Sequence, residues 1–199
     1  MDNHCLTRKI FDYDYTNNKQ WTTTICEIMQ EIGVDHLVVS EIPVDLKWCK
    51  AVLMSNYEKT WLRCINTKPK LRTYCKWKSS FKVELYINLN LPRHHRSVLA
   101  QSRSGSLPLY IETGRYRGIK LEERICSFCN MGTVESESHF LLDCDLYNEH
   151  RIIFLSLLNL NQEMYDKDAL IKLLIENSPR DLARYTYTIF MERKNWEYG

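Results

Sequence analysis

The chain has 199 residues, with 27 Lys or Arg against 25 Asp or Glu, and 44% of it is hydrophobic and 12% aromatic. That is room for one domain, or one domain with an appended module, and enough apolar side chain for a packed core, which sets intrinsic disorder aside. No run approaches the roughly 20 apolar residues of a membrane helix, the start M-D-N-H-C-L-T-R-K lacks the apolar stretch of a secretory signal, and 8 Cys without such a signal imply reduced thiols in an intracellular protein.

Residues 1–19 are polar, with Asp12 and Asp14 among tyrosines, and read as a flexible N-terminal arm. Those two acids are either an acidic loop or half of a divalent-ion site. From Gln20 to Ile32, the residues Trp21, Ile25, Ile28, Met29 and Ile32 recur at helical spacing, and Gly33 is a stop. Leu37 to Ser40 predicts a short extended piece. Pro43 opens a long helix whose Leu46, Cys49, Val52, Leu53, Tyr57, Trp61 and Ile65 form one stripe, ending near Lys68-Pro69.

Residues 83–91, V-E-L-Y-I-N-L-N-L, alternate apolar and polar and predict a strand, with a helical turn as the alternative. Pro92 starts a helix through Arg103, ended by Ser104-Gly105, with Arg93, Arg96 and Arg103 on an exposed face near Gln101. The stretch from Leu107 to Arg124 reads as a loop with a turn at Thr113-Gly114. Asp145 caps a helix carrying Leu146, Ile153, Phe154, Leu157 and Leu158. Asp166 or Asp168 caps another with Leu170, Leu173, Leu174 and Ile175. Pro179 opens the last, with Leu182, Tyr185, Ile189 and Phe190.

Between these helices lie Cys126, Cys129, His139 and Cys144, spaced C-x2-C-x9-H-x4-C. Three thiolates and one imidazole make a closed tetrahedral ligand set that suits a structural zinc ion. One tight turn aims both sulfurs of the C-x-x-C pair at one metal. A short helix from Ser136 to Cys144 presents His139 and returns Cys144. The alternatives are a redox or disulfide pair, which needs a strand before it, and chance. Here the charged run Leu121-Glu122-Glu123-Arg124 precedes the pair. The expected fold is therefore mainly α: a helical, bundle-like domain with an inserted Cys3His zinc module and little β. Its divisions are the arm over 1–19, a helical basic region over 20–120, the zinc module over 121–155 and C-terminal helices over 156–199.

The net charge of +2 hides an asymmetry. Residues 59–124 hold 15 Lys or Arg against 4 acids, a net of +11, while residues 1–58 have a net of −4 and residues 125–199 a net of −5. A basic block of this size is a candidate phosphate-binding surface. It is interleaved with Trp61, Tyr74, Trp77, Phe81, Tyr86, Tyr110 and Tyr116, and aromatics beside cations are what single-stranded bases stack on. A solvated helical face with buried rings is the bland alternative.

Arg103, Leu107-Pro108, Ile111 to Tyr116, Glu123-Arg124, Cys126, Cys129, Glu135, His139-Phe140, Cys144, Tyr147 and Arg151 together resemble the C-terminal zinc-binding region of LINE-type (non-LTR) retrotransposon reverse transcriptases. The K-P-K-L-R-T-Y run at 68–74 and the L-N-L-P-R run at 89–93 resemble segments upstream of it. The resemblance covers residues 68–155. It implies Cys126, Cys129, His139 and Cys144 as zinc ligands and a role in holding template RNA or target DNA. With the basic block, it makes Lys76, Lys78, Arg93, Arg96, Arg103, Arg115, Arg117, Lys120, Arg124 and Arg151 the expected nucleic-acid contacts. His94 and His95 are read as neither ligands nor bases. The expected partners are RNA or DNA, single-stranded favoured, and a polymerase domain or other protein. The expected setting is a nuclear or cytoplasmic ribonucleoprotein.

Catalytic signatures are missing. There is no Tyr-x-Asp-Asp hairpin for a polymerase, no phosphate-cradling glycine loop and no Gly-x-Ser-x-Gly elbow. Pro43-Val44-Asp45 with Glu84 falls short of a nuclease, lacking a following Lys. The expectation is thus a non-catalytic, zinc-stabilised nucleic-acid-binding module. Its rival is a stand-alone protein-interaction module in which Trp48, Trp61, Trp77 and the C-terminal stripe meet a partner.

Overall fold

The computed structural model describes residues 6–39, 45–78 and 80–198. The chain forms two compact units, Met1–Arg63 and Cys64–Gly199. It is mainly helical, and among the described residues the only β pairing is an isolated antiparallel bridge between Ile125 and Val134. No described helix is long and apolar enough to cross a membrane.

The first unit carries α1 (Leu6–Thr16), α2 (Gln20–Glu31), α3 (His36–Val39) and most of α4 (Leu46–Thr67). The expected arm is a helix over most of its length. Its Phe11 stacks on Tyr15 and meets Trp21 of α2 edge-on at 5.7 Å. Asp12 pairs with Arg8 at 2.9 Å and Asp14 accepts from the Trp21 indole at 2.7 Å, so both acids have protein partners. Helix α2 stops where the sequence places the stop, with Gly33 at φ +71. Leu37 is helical, not extended, because residues 36–39 close one turn on Val34 and Asp35 carbonyls. Pro43 and Ser40 lie outside the described residues. Asp45 caps the long helix instead, its Oδ1 accepting from Lys47 N at 2.8 Å. The predicted stripe of α4 is not all core, since Leu46 and Tyr57 are exposed.

The second unit holds α5 (Arg72–Trp77), α6 (Arg93–Ser104), α7 (Tyr110–Tyr116), α8 (Asn148–Leu157), α9 (Lys167–Asn177) and α10 (Pro179–Tyr198). Helix α10 lies along α6 and also packs on α8 and α9, while α5 packs on α6 and α9. Leu107, Leu109, Phe140, Leu170, Ile171 and Ile189 are fully buried in one core. Burying each such side chain is worth roughly 1.5–3 kcal/mol. Phe154 of α8 stacks on Tyr185 of α10 at 4.3 Å. Helix α6 ends as expected, Gly105 adopting φ +69. Asp166 caps α9, accepting from Asp168 N and Ala169 N.

Three expectations fail here for physical reasons. Residues 83–91 form no strand. Among the described residues no segment pairs with them, and Leu85–Ile87 follows the alternative reading of a helical turn, winding into a 3-10 turn with Tyr86 and Leu91 buried. The 107–124 loop contains α7, because Gly114 is a close-packing residue and not a turn: a Cβ there would lie 2.9 Å from Arg124 Cγ. Ile153 and Leu157 of α8 face solvent, whereas Arg151, Phe154 and Leu155 face inward.

Candidate metal centre

The four ligand candidates are placed by a short finger and a widened turn. Residues 125–134 double back through the Ile125–Val134 bridge, with Cys126 N donating to Thr133 O at 2.9 Å and Glu135 N to Arg124 O at 2.9 Å. Gly132, at φ +64, makes the reversal. Cys126 sits at the base of this finger and Cys129 within its reversal. His139–Asp143 then forms a single π turn, closed by Cys144 N donating to His139 O at 2.9 Å. In an α-helix, residues five apart point about 140° away from each other. The wider π turn returns the fifth residue beneath the first, so His139 and Cys144 face the same point. The expected short helix is present in this altered form.

Cys126 Sγ and Cys144 Sγ lie 3.9 Å apart, and Cys129 Sγ lies 3.4 Å from His139 Nε2. All four ligand atoms fall within 4.8 Å of one another, a cluster that can hold a metal ion. Cys126, His139 and Cys144 are buried and Cys129 is half-buried. Thr133 Oγ1 lies 3.1 Å from His139 Nδ1, which fixes the ring with Nε2 turned inward. The hydrogen bond from Cys144 holds the Cys126 thiol down to about 4, and the same bond with burial pushes the Cys144 thiol up. The convergence of all four residues separates this arrangement from an isolated C-x-x-C pair.

Buried ion pairs tie the centre to the helices around it. Glu135 receives Arg193 of α10, Nε to Oε1 at 3.0 Å, and also Tyr110 N. Glu137 receives Arg72 at 2.7 Å. Burial pushes both carboxyls above the ordinary range, while Arg193 and Arg72 pull them down. Arg115, with smaller help from Arg72, holds Glu112 below it. The Arg193 guanidinium also covers the Phe128 ring at 4.7 Å.

The expected nucleic-acid contacts divide sharply. Arg103 is buried at 3% exposure and shares Glu84 with the buried Lys78, at 2.7 and 2.6 Å. The exposed face expected for Arg103 is therefore wrong: α5 packs on α6 there, with the guanidinium 5.5 Å from the Tyr74 ring and donating to Trp77 O and Glu84. Arg151 is buried and donates to Cys144 O at 3.0 Å. Arg124 donates to Ile111 O and Ile119 O, and Arg96 to Leu89 O. Arg115 is paired with Glu112, and Lys76 lies 3.5 Å from Asp168. Arg93, Arg117 and Lys120 are exposed, as are Lys68, Lys70 and Lys82. The sequence reading missed Thr133, Arg72, Glu137 and Arg193. Glu135 carried a signal only as part of the resemblance.

No protein-family model, curated protein or solved structure matches this chain.

Proposed function

We propose that this chain is a zinc-stabilised module that binds single-stranded nucleic acid and performs no catalysis alone. The observation that carries the reading is the surface left after internal pairing: Lys68, Lys70, Lys82, Arg93, Arg117 and Lys120 all remain exposed in the second unit. The resemblance to the C-terminal region of LINE-type reverse transcriptases gives the same reading, with template RNA or target DNA as the partner and a polymerase domain as the neighbour. A nuclear or cytoplasmic ribonucleoprotein is the setting it fits.

Zinc is favoured by donor type and by scale. A tetrahedral ion with Zn–S near 2.3 Å and Zn–N near 2.0 Å requires S···S separations of about 3.8 Å and S···N of about 3.5 Å. Two of the six separations, 3.9 and 3.4 Å, fit these values, and all six lie within 4.8 Å. Cys126, Cys129, His139 and Cys144 would fill all four positions. A bound zinc would then hold the fold and leave no place for a catalytic water.

Binding to single-stranded oligonucleotides across a salt series tests the reading. Each phosphate contact contributes about −0.7 to the log–log slope. Replacing Arg117 and Lys120 by Ala should flatten the slope by about 1.4 while leaving the fold intact. Absence of measurable binding at low salt refutes the proposal. The rival protein-interaction reading keeps one observation in its favour, the exposed apolar Ile152, Ile153 and Leu157 on α8. Trp77 cannot serve it, being buried with its indole donating to Asp168. Capture of a partner protein that Leu157→Asp abolishes, with no oligonucleotide binding, would decide for that reading.

A further inference from the structure

Several buried and half-buried cations of the second unit have a carboxylate partner, while Arg96, Arg124 and Arg151 donate to backbone carbonyls. Arg72 meets Glu112 and Glu137, Lys78 and Arg103 meet Glu84, Arg115 meets Glu112, and Arg193 meets Glu135. One cluster departs from this. At the start of α6, Arg93 and His94 are exposed and His95 is half-buried. From α10, distant in sequence, Arg184 and Tyr187 join them. The His94 and His95 rings meet edge to face at 4.5 Å, and each lies against the Tyr187 ring, at 4.5 and 4.8 Å. Among the described residues, no carboxylate ion-pairs with Arg93, His94, His95 or Arg184.

The cluster is electrostatically unfinished. His95 Nδ1 is shielded from water and has no hydrogen-bond partner. Burial, His94 and Arg184 all disfavour a proton on His95. Arg180, one turn earlier on α10, is exposed on the side of that helix that bears Arg184. The free N–H groups opening the 12-residue α6 add positive potential at the same end. Asp181, exposed three residues before Arg184 on α10, is the one acid on that side among the described residues and forms no ion pair with the cluster; the other contributions are positive, and a stack of three rings holds the groups in place. An oxyanion at the exposed His94 and Arg184 would give the cluster its missing counter-charge.

We propose that His94, His95, Arg184 and Tyr187 form a phosphoryl-binding site, occupied by a backbone phosphodiester of single-stranded nucleic acid. This rests on the nucleic-acid reading above and extends it to α10, outside the basic block. A bound phosphodiester also offers the imidazoles a negative partner, so occupancy favours their protonated forms. Affinity therefore rises as pH falls through the histidine range.

The test uses the full chain with its metal retained, and a fluorescein-labelled oligo(dT) followed by anisotropy at about pH 6 and about pH 8. The unaltered protein should bind several-fold tighter at the lower pH. Arg184→Ala, alone and with His95→Gln, should weaken binding about tenfold and remove most of the pH effect. Arg117→Ala with Lys120→Ala should weaken binding but keep the pH effect. Arg184 is exposed, so its single variant remains informative if the double variant misfolds. In parallel, inorganic phosphate is titrated while the imidazole C–H resonances of His94 and His95 are followed. Shifts that Arg184→Ala abolishes support the site. Oligonucleotide binding without pH dependence, unaffected by Arg184→Ala, overturns the site and leaves the nucleic-acid reading standing. Phosphate-dependent shifts without oligonucleotide binding overturn the nucleic-acid reading and assign the site to free phosphate. Neither response overturns both.

Discussion

Replacing Arg193 by Met probes the buried pair beside the metal centre. Arg193 and Glu135 are only 4% and 2% exposed, and the guanidinium makes two contacts to the carboxylate, at 3.0 and 3.3 Å. Methionine fills much of the stem's volume but leaves a carboxylate in an apolar surround. Breaking such a pair from one side costs about 3–5 kcal/mol, because the remaining charge is uncompensated. Tyr110 N still donates to Glu135 and offsets part of that cost. The expected loss is therefore about 3 kcal/mol at neutral pH, read from urea unfolding in zinc-containing buffer.

The pH dependence gives the sharper test. Burial already holds Glu135 above its ordinary 4.5, and Arg193 is the main group pulling it down. Without Arg193 the folded-state value moves higher still. A carboxyl whose folded value exceeds its unfolded value takes up its proton more readily when folded. The penalty is thus complete above the raised folded value and shrinks as pH falls toward 4.5. Comparing variant and parent at each pH cancels the protonation of the metal ligands. Glu135→Gln combined with Arg193→Met should lose this dependence. A deficit under about 1 kcal/mol, as for an exposed pair, or one constant with pH, refutes the reasoning.

Freshly purified protein should contain one zinc per chain, and Cys129→Ser should abolish it. Hydrogen exchange should then open residues 121–150 first while α2 keeps its protection, since zinc-linked folding energies reach about 10 kcal/mol; unchanged melting would show the ion is not structural. Gly105→Ala should destabilise by roughly 1–3 kcal/mol, because the residue holds φ +69 and its Cβ would approach Thr73 Oγ1 to 2.9 Å. A stability within error of the parent would place that conformation among the freely adjustable ones.

Signals that act within one turn were legible in the sequence. Gly33, Gly105 and Asp166 ended or began helices where expected, since backbone sign and capping depend on immediate neighbours. Signals that need a distant partner were not. The alternation over 83–91 describes a strand only if another strand pairs with it, and Gly114 inside α7 reads as a turn until Arg124 packs against it. The ligand set was legible as a composition of donors, but the π turn that aims it was not, because H-x4-C fits no regular helical face. Charge was misread for a related reason. Glu84 and Glu112 are two of only four acids in the basic block, yet each takes two cations, Lys78 with Arg103 and Arg72 with Arg115. Counting charges along the chain does not show which ones a single buried carboxylate will gather.

The same pairs decide whether residues 121–155 are a separable finger. Both buried carboxylates of that segment find their partners outside it, while His139 and Arg151 are held within it by Thr133 and Cys144 O. Glu135 takes Arg193 and Tyr110 N, Glu137 takes Arg72, Arg124 donates to Ile111 O, and Leu141 O accepts from Tyr185 Oη at 2.6 Å. Phe140, Leu141 and Leu142 likewise bury themselves in the core shared with α9 and α10. An excised peptide of residues 121–155 would retain the four ligands but would present two carboxylates without counter-ions and an apolar turn without cover. It should bind zinc through its thiolates, because affinity follows the donor set, yet remain without fixed tertiary structure. Proton NMR of the zinc-loaded peptide should show narrow amide dispersion and exchange of the Phe140 and Tyr147 ring environments. A well-dispersed spectrum with the Ile125–Val134 cross-strand contact intact would prove the finger autonomous, and the surrounding helices would then be supported by it rather than folding with it.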